Sequence, residues 1–353
     1  MEFQKKSLSD CSVEELDREL IARGARAPEE KRFQFPDRTG TPGRNDVMKQ
    51  INELYNTAVS LPPDRALSHI TTDELLEIIL FRTRNAARGI WGKDQRMDCY
   101  QVIEEPVEKN ASSVAAICSR DDLIKTGSAL FELKVKTFGT SFNLCPHEPF
   151  YHQPIAAGPF CTGFLVGEDM IAAAGHCVDE KSVTDLRVVF DYRMLDSHTP
   201  ATRVPSNKVY KVLKLMDRAY QPRGNRSDWA LVKLDRKVEG LHVTTLSKRE
   251  IASGHEVYVM GYPCGLPLKY APGARVGGVN DTYFTADLDI YCGSSGSPVF
   301  DSITHEVVGM VVRGHDRDFR WSGKCWVSVI YRNSGLDSRG AQCTKVTEFI
   351  RYC

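Results

Sequence analysis

The sequence predicts a mainly β protein of sandwich or barrel packing, preceded by a small helical domain. Two observations carry this expectation. Beyond Gly89 the chain is a succession of short apolar runs separated by Gly, Pro, Asn and Asp, with no helical period between them. Before Gly89 the texture is the reverse: three segments open on capping residues and place apolar residues at helical spacing. The 353 residues thus divide into a helical domain, 1–89, and a β domain, 90–353. That length suffices for one large core or two smaller ones.

The helices follow in order. Ser12-Val13-Glu14-Glu15 is a capping box, opening a helix that ends near Gly24. Pro36, Gly40, Pro42 and Gly43 make 28–44 a loop. Asn45 or Asp46 caps a second helix through Val47, Ile51, Leu54 and Val59, stopped by Pro62-Pro63. Thr71-Thr72-Asp73-Glu74 opens a third, with Leu75, Leu76, Ile78, Ile79 and Phe81 inward. The strand-like runs lie at 164–166, 186–190, 229–234, 257–260 and 307–312, and 344–352 reads as a short terminal helix.

Composition narrows the partners. Lys plus Arg and Asp plus Glu are equal at 46 each, so no global field draws the chain to nucleic acid. No apolar run approaches the roughly 20 residues of a membrane span. The N-terminus has two lysines but no apolar region after them, which predicts a cytoplasmic protein without a secretory signal. The 11 cysteines are odd in number and contain no CxxC, against a structural zinc site. No metal and no organic cofactor is implied.

Three short motifs carry chemistry. Ala174-Gly175-His176-Cys177 closes an apolar run, Ser227-Asp228-Trp229-Ala230 opens another, and Gly293-Ser294-Ser295-Gly296-Ser297-Pro298 is a Gly-rich loop around a serine. A serine hydroxyl is a poor nucleophile at neutral pH and needs an imidazole to take its proton. Each motif alone is weak. Together they point to a nucleophilic hydrolase, and the order His, Asp, Ser is that of the chymotrypsin-type triad.

The stretch from Cys161 to Cys177 resembles the histidine region of trypsin-like serine proteases, its two cysteines flanking the segment as the family's histidine-loop pair does. Ser227-Asp228-Trp229-Ala230-Leu231-Val232 resembles the family's Asp-Ile-Ala-Leu-Leu strand. The 293–298 loop resembles its Gly-Asp-Ser-Gly-Gly-Pro loop, in a form nearer the bacterial, glutamyl-endopeptidase-like branch. The resemblance covers roughly 90–353 and no part of 1–89. It implies two Greek-key β-barrels with the triad between them, and cleavage of protein or peptide substrates through an acyl-enzyme. His176 would be the general base, Asp228 its orienting partner and Ser295 the nucleophile. The Gly293 and Ser295 N–H groups would face the oxyanion, and Cys161 and Cys177 would bridge in an oxidising compartment. The helical segment would then be a regulatory or partner-binding module. A catalytically silent scaffold is the rival class.

The resemblance also places Asp289 at the base of the primary specificity pocket, where an aspartate selects Arg or Lys. Val312, Arg313 and Gly314 fall on the strand that pairs with substrate backbone. Arg313, with His315 and Arg317, would instead suit an acidic side chain. Cys292 falls at the rim of the cleft or is an inert buried thiol. In zymogens of this family a freed amine pairs with an aspartate just before the serine. Ser294 occupies that position, so a cut before Ile90 would supply an amine with no partner.

Overall fold

The computed structural model describes residues 90–156, 161–221, 227–314, 318–322, 324–331 and 340–353, together with Glu19. The chain divides into two compact units, residues 1–86 with 320–324 and residues 87–319 with 325–353. The fold below is that of the second. The helices expected within 1–89 lie outside the described residues.

The first barrel is closed by six antiparallel strands: β1 (Val114–Ser119), β2 (Cys161–Gly167), β3 (Met170–Ala173), β4 (Leu186–Val189), β5 (Val209–Tyr220) and β6 (Asp228–Leu234). Their order is β4-β5-β6-β3-β2-β1, and β1 returns to β4 in register from Ser119 with Leu186 to Ala116 with Val189. Closure leaves no edge strand. The second barrel uses β7 (Glu256–Gly261), β8 (Lys269–Val279), β9 (Tyr283–Ala286), β10 (Pro298–Asp301), β11 (Val307–Arg313) and β12 (Ala341–Lys345). The order here is β7-β10-β11-β12-β9-β8, closed by β8 on β7.

Strand periodicity explains why these runs are apolar without alternation. On β1, Ala115 and Ile117 point inward with Leu165, Ile171, Val188, Val232 and Leu234 to fill the first barrel. The intervening Val114, Ala116 and Cys118 join a different cluster, with Phe164, Trp229, Tyr258, Tyr262, Phe300 and Met310. One face of each such strand therefore fills its barrel and the other packs against the second barrel. Val257, Val259, Val276, Phe284, Val299 and Val311 fill the interior of that barrel.

Two elements depart from expectation. A helix, α1 (Glu105–Ser113), precedes β1, with Pro106 at its start and Glu105 and Glu108 in its first turn. Its buried face contains Asn110 and Ser113 beside Val107 and Ala111, so its apolar period is faint. Asn110 is satisfied by Tyr258 Oη at 3.0 Å and the His305 carbonyl at 2.9 Å. The expected terminal helix at 344–352 is instead the end of β12 followed by two 3₁₀ turns, Val346–Glu348 and Ile350–Tyr352.

Candidate active site

His176 sits on a 3₁₀ turn, Gly175–Cys177, directly after β3. Cys177 is bridged to Cys161 at the start of β2, which ties this turn to the strand beside it. Asp228 is the first residue of β6 and is fully buried. Its Oδ1 accepts the His176 backbone N–H at 3.0 Å, and its Oδ2 meets His176 Nδ1 at 2.9 Å. On the other side of the ring, Nε2 lies 2.8 Å from Ser295 Oγ. An ionised carboxylate only accepts, so Nδ1 carries the proton and Nε2 is left to accept from the serine hydroxyl. Burial opposes the charge on Asp228. The imidazole, by charge and hydrogen bond, and then Arg313 outweigh it and hold the carboxyl below its ordinary value.

The loop carrying Ser295 is shaped by contacts from both barrels. The Ser294 N–H donates to the Tyr291 carbonyl at 3.0 Å, Ser297 N–H to Ser294 at 3.0 Å, and Gly296 N–H to Val311 of β11 at 2.7 Å. Thr162 of β2 reaches across. Its N–H donates to the Ser295 carbonyl at 2.8 Å, and its Oγ1 donates to the Gly293 carbonyl at 3.1 Å. Oγ1 in turn accepts from Tyr262 N–H at 3.1 Å. Gly293 and Gly296 have φ of +92° and +85°, the left-handed region. A Cβ on Gly296 would stand 1.9 Å from the Thr162 carbonyl oxygen. The Cys292 carbonyl accepts the Cys264 N–H. The planar trans peptide then aims the Gly293 N–H the opposite way, and among the described residues that group meets no acceptor.

Asp289 is held by backbone partners of its own. It is 7% exposed, and each carboxylate oxygen is taken by a backbone amide: Oδ1 by Trp91 at 2.7 Å and Oδ2 by Gln95 at 2.9 Å. Burial pushes this carboxyl up to about 6 despite those two bonds. The side chain anchors the 91–95 segment. Arg313 turns away from the use expected of it, with Nη2 3.3 Å from Asp228 Oδ2. Val312 is buried at a register irregularity of β11, between the Val311–Cys343 and Arg313–Gln342 pairs. Gly314 follows directly after the strand. His315 and Arg317 lie outside the described residues. Cys292 is exposed, and its N–H donates to Asp318 Oδ2 at 2.9 Å.

The structure thus brings together His176, Asp228, Ser295 and Gly293, with Arg313 behind the carboxylate. Thr162 carries no signature of its own in sequence, although it follows Cys161 within the histidine motif. A second bridge, Cys145–Cys325, joins two cysteines that no sequence motif links. Among the described residues no cluster of His, Cys, Asp or Glu could hold a metal ion, and no helix is long and apolar enough to cross a membrane.

Two closed barrels with a serine, an imidazole and a carboxylate in one hydrogen-bonded line define a class, the serine hydrolases of two-barrel architecture. Residues 161–310 match the family model of the trypsin-like peptidase domain. That stretch of the chain therefore carries a trypsin-like peptidase domain. No curated protein matches the chain. Among solved structures it is similar to a Glu endopeptidase in complex with MPD, at 18% identity and TM-score 0.44, over 74% of this chain and 98% of that one. It is also similar to a scabies mite inactivated protease paralogue, at 15% identity and TM-score 0.43, over 69% and 93% of the two chains. The VesB protease of Vibrio cholerae gives 17% identity and TM-score 0.41, over 75% and 66%.

Proposed function

We propose that this peptidase cleaves proteins or peptides through an acyl-enzyme on Ser295. Ser295 Oγ attacks the scissile carbonyl as His176 Nε2 takes its proton, and the carbonyl π pair moves onto oxygen. Asp228 holds the proton-bearing Nδ1 and stabilises the imidazolium. The N–H groups of Gly293 and Ser295 receive the oxyanion; losing one such donor costs about 10²–10³ in rate. Collapse expels the amine, which takes the proton back from His176. Water then repeats the sequence on the ester, releasing the acid and restoring Ser295.

One observation carries this reading: the contact of Ser295 Oγ with His176 Nε2 at 2.8 Å, continued to Asp228 at 2.9 Å. It favours an enzyme over a silent scaffold, which has no need to keep three polar groups aligned. Cleavage after Arg or Lys rested on Asp289, whose two oxygens are engaged by amides. Preference for an acidic side chain rested on Arg313, which faces Asp228. We therefore assign the primary pocket no charge preference. Residues 1–89 we read as a controlling segment, to be tested by comparing the full chain with one lacking it.

The decisive experiment is labelling with a fluorophosphonate, followed by peptide mapping. The label should sit on Ser295. Ser295→Ala should lose both label and turnover with the fold retained, and His176→Ala should be nearly as severe, because triad members act as a unit. Hydrolysis surviving in a clean Ser295→Ala preparation would falsify the assignment.

A further inference from the structure

The segment that precedes α1 is built into the second barrel, Met97 and Asp98 pairing with β8. Ile90 is fully buried. Its strand, Ile90–Trp91, runs parallel to Ile330–Tyr331, with Ile90 N–H on the Val329 carbonyl at 3.1 Å and Gly92 N–H on Tyr331 at 2.8 Å. Trp91 and Gln95 close on Asp289 as described. Asp98 pairs with buried Lys269 of β8 and accepts from Gln153 at 2.7 Å.

Between these anchors lies Arg96, its side chain 1% exposed. Nε and Nη2 take the two oxygens of Asp94 at 2.9 and 2.7 Å. The guanidinium carbon lies 3.9 Å from the Tyr291 ring centroid and 5.4 Å from that of Phe150. Nη1 is buried, with no hydrogen-bond partner among the described residues. A buried cation with a donor left over is a poor stabiliser, since an apolar side chain of similar volume often does as well or better.

What this cation does hold is Tyr291. That ring is fully buried, and its hydroxyl bonds Ser328 Oγ, which donates in turn to Glu148. The Tyr291 carbonyl accepts the Ser294 N–H at 3.0 Å, the bond that opens the turn from which Ser295 projects.

We propose that Arg96 is a positioning residue for the nucleophile turn, a cation carried by the unbroken chain that fixes Tyr291 and through its carbonyl the 291–295 backbone. It touches no substrate. The proposal rests on Ser295 being the nucleophile. Burial works against the guanidinium charge, while Tyr291, Asp94 and Asp289 raise it above its ordinary value, so the group stays protonated at any working pH.

The test compares full-length wild type, Arg96→Met and Arg96→Lys with Val188→Ala, a truncation inside the first barrel. The readouts are kcat, KM, the rate of fluorophosphonate labelling per folded molecule, and Tm. Arg96→Met should lose about 10²-fold in kcat and labelling rate, with KM changed less than about twofold. Arg96→Lys should recover part of this, keeping the charge but not the planar two-pronged contact. Val188→Ala should lower Tm with labelling unchanged. Equal labelling of Arg96→Met and wild type overturns the proposal, as does a loss that merely follows Tm across all variants. Should Arg96→Met not fold, Arg96→Lys decides, and labelling at the wild-type rate overturns it. A wild-type chain labelled elsewhere than Ser295 overturns the nucleophile assignment itself, an outcome no Arg96 variant can mimic.

Discussion

Arg313 Nη2 and His176 Nδ1 converge on the same oxygen, Oδ2 of Asp228, at 3.3 and 2.9 Å. The carboxylate is fully buried and its carboxyl is held below its ordinary value. Stability from such a group is present above the unfolded value of 3.8 and is lost as pH falls through the folded one. Arg313→Gln removes one source of the depression. Its acid unfolding should therefore begin at a higher pH than that of wild type, with Arg313→Lys in between. Circular dichroism against pH checks this. An altered preference between Glu and Gln substrates with an unmoved acid transition would return Arg313 to substrate binding.

Asp289 titrates with the opposite sign. Its carboxyl moves from 3.8 to about 6 on folding. Below 3.8 it is protonated in folded and unfolded chains alike. Between about 4 and 6 the unfolded chain ionises first, so the stability this group contributes falls by about 3 kcal/mol as pH rises. Asp289→Asn cannot titrate and should lack that decline. Urea unfolding at stepped pH measures it, and parallel curves for variant and wild type would reject the shift. The same variant should lower cleavage of cationic and uncharged substrates alike, since the side chain anchors 91–95.

Gly296 and Gly254 share a backbone conformation, with φ of +85° and +83°, but not their surroundings. A Cβ at Gly296 would meet the Thr162 carbonyl at 1.9 Å, whereas one at Gly254 meets nothing within 4 Å. Gly254→Ala should cost only backbone strain, about 1–2 kcal/mol, with kcat intact. Gly296→Ala must displace the loop and should lose at least about 10²-fold in kcat/KM. Comparable activity in the two variants would mean that Thr162 does not set the loop.

The two disulfides should differ in their effect. Cys161–Cys177 spans 16 residues and Cys145–Cys325 spans 180. Loop-closure entropy predicts about 3 kcal/mol for the first and about 5 for the second. Opening the first frees the His176 turn, so Cys161→Ala with Cys177→Ala should lower kcat as well as Tm. Opening the second by Cys145→Ala with Cys325→Ala should lower Tm more and kcat less. Calorimetry beside steady-state kinetics separates them.

The parts of this architecture legible in sequence are those with local signatures. His176, Asp228 and Ser295 each stand inside a short motif, and the strands announced themselves by apolar runs between turn residues. What stayed hidden depends on partners distant along the chain. Trp91 lies 198 residues from Asp289, and only their meeting turns a pocket-base aspartate into an anchor. Arg96 stands in no local motif, and only Tyr291 and Phe150, distant along the chain, close over its guanidinium. Helix α1 escaped because Asn110 and Ser113 occupy its buried face, which no hydrophobic period records.

The Cys145–Cys325 bridge has a consequence for a molecule that cuts peptide bonds. His176, Asp228 and Ser295 all fall within the stretch it encloses. A single nick anywhere between 145 and 325 leaves both pieces covalently joined, with the three side chains still on one molecule. The enzyme is thereby buffered against its own activity: self-cleavage in an exposed loop yields a nicked form rather than fragments, visible as two bands only after reduction.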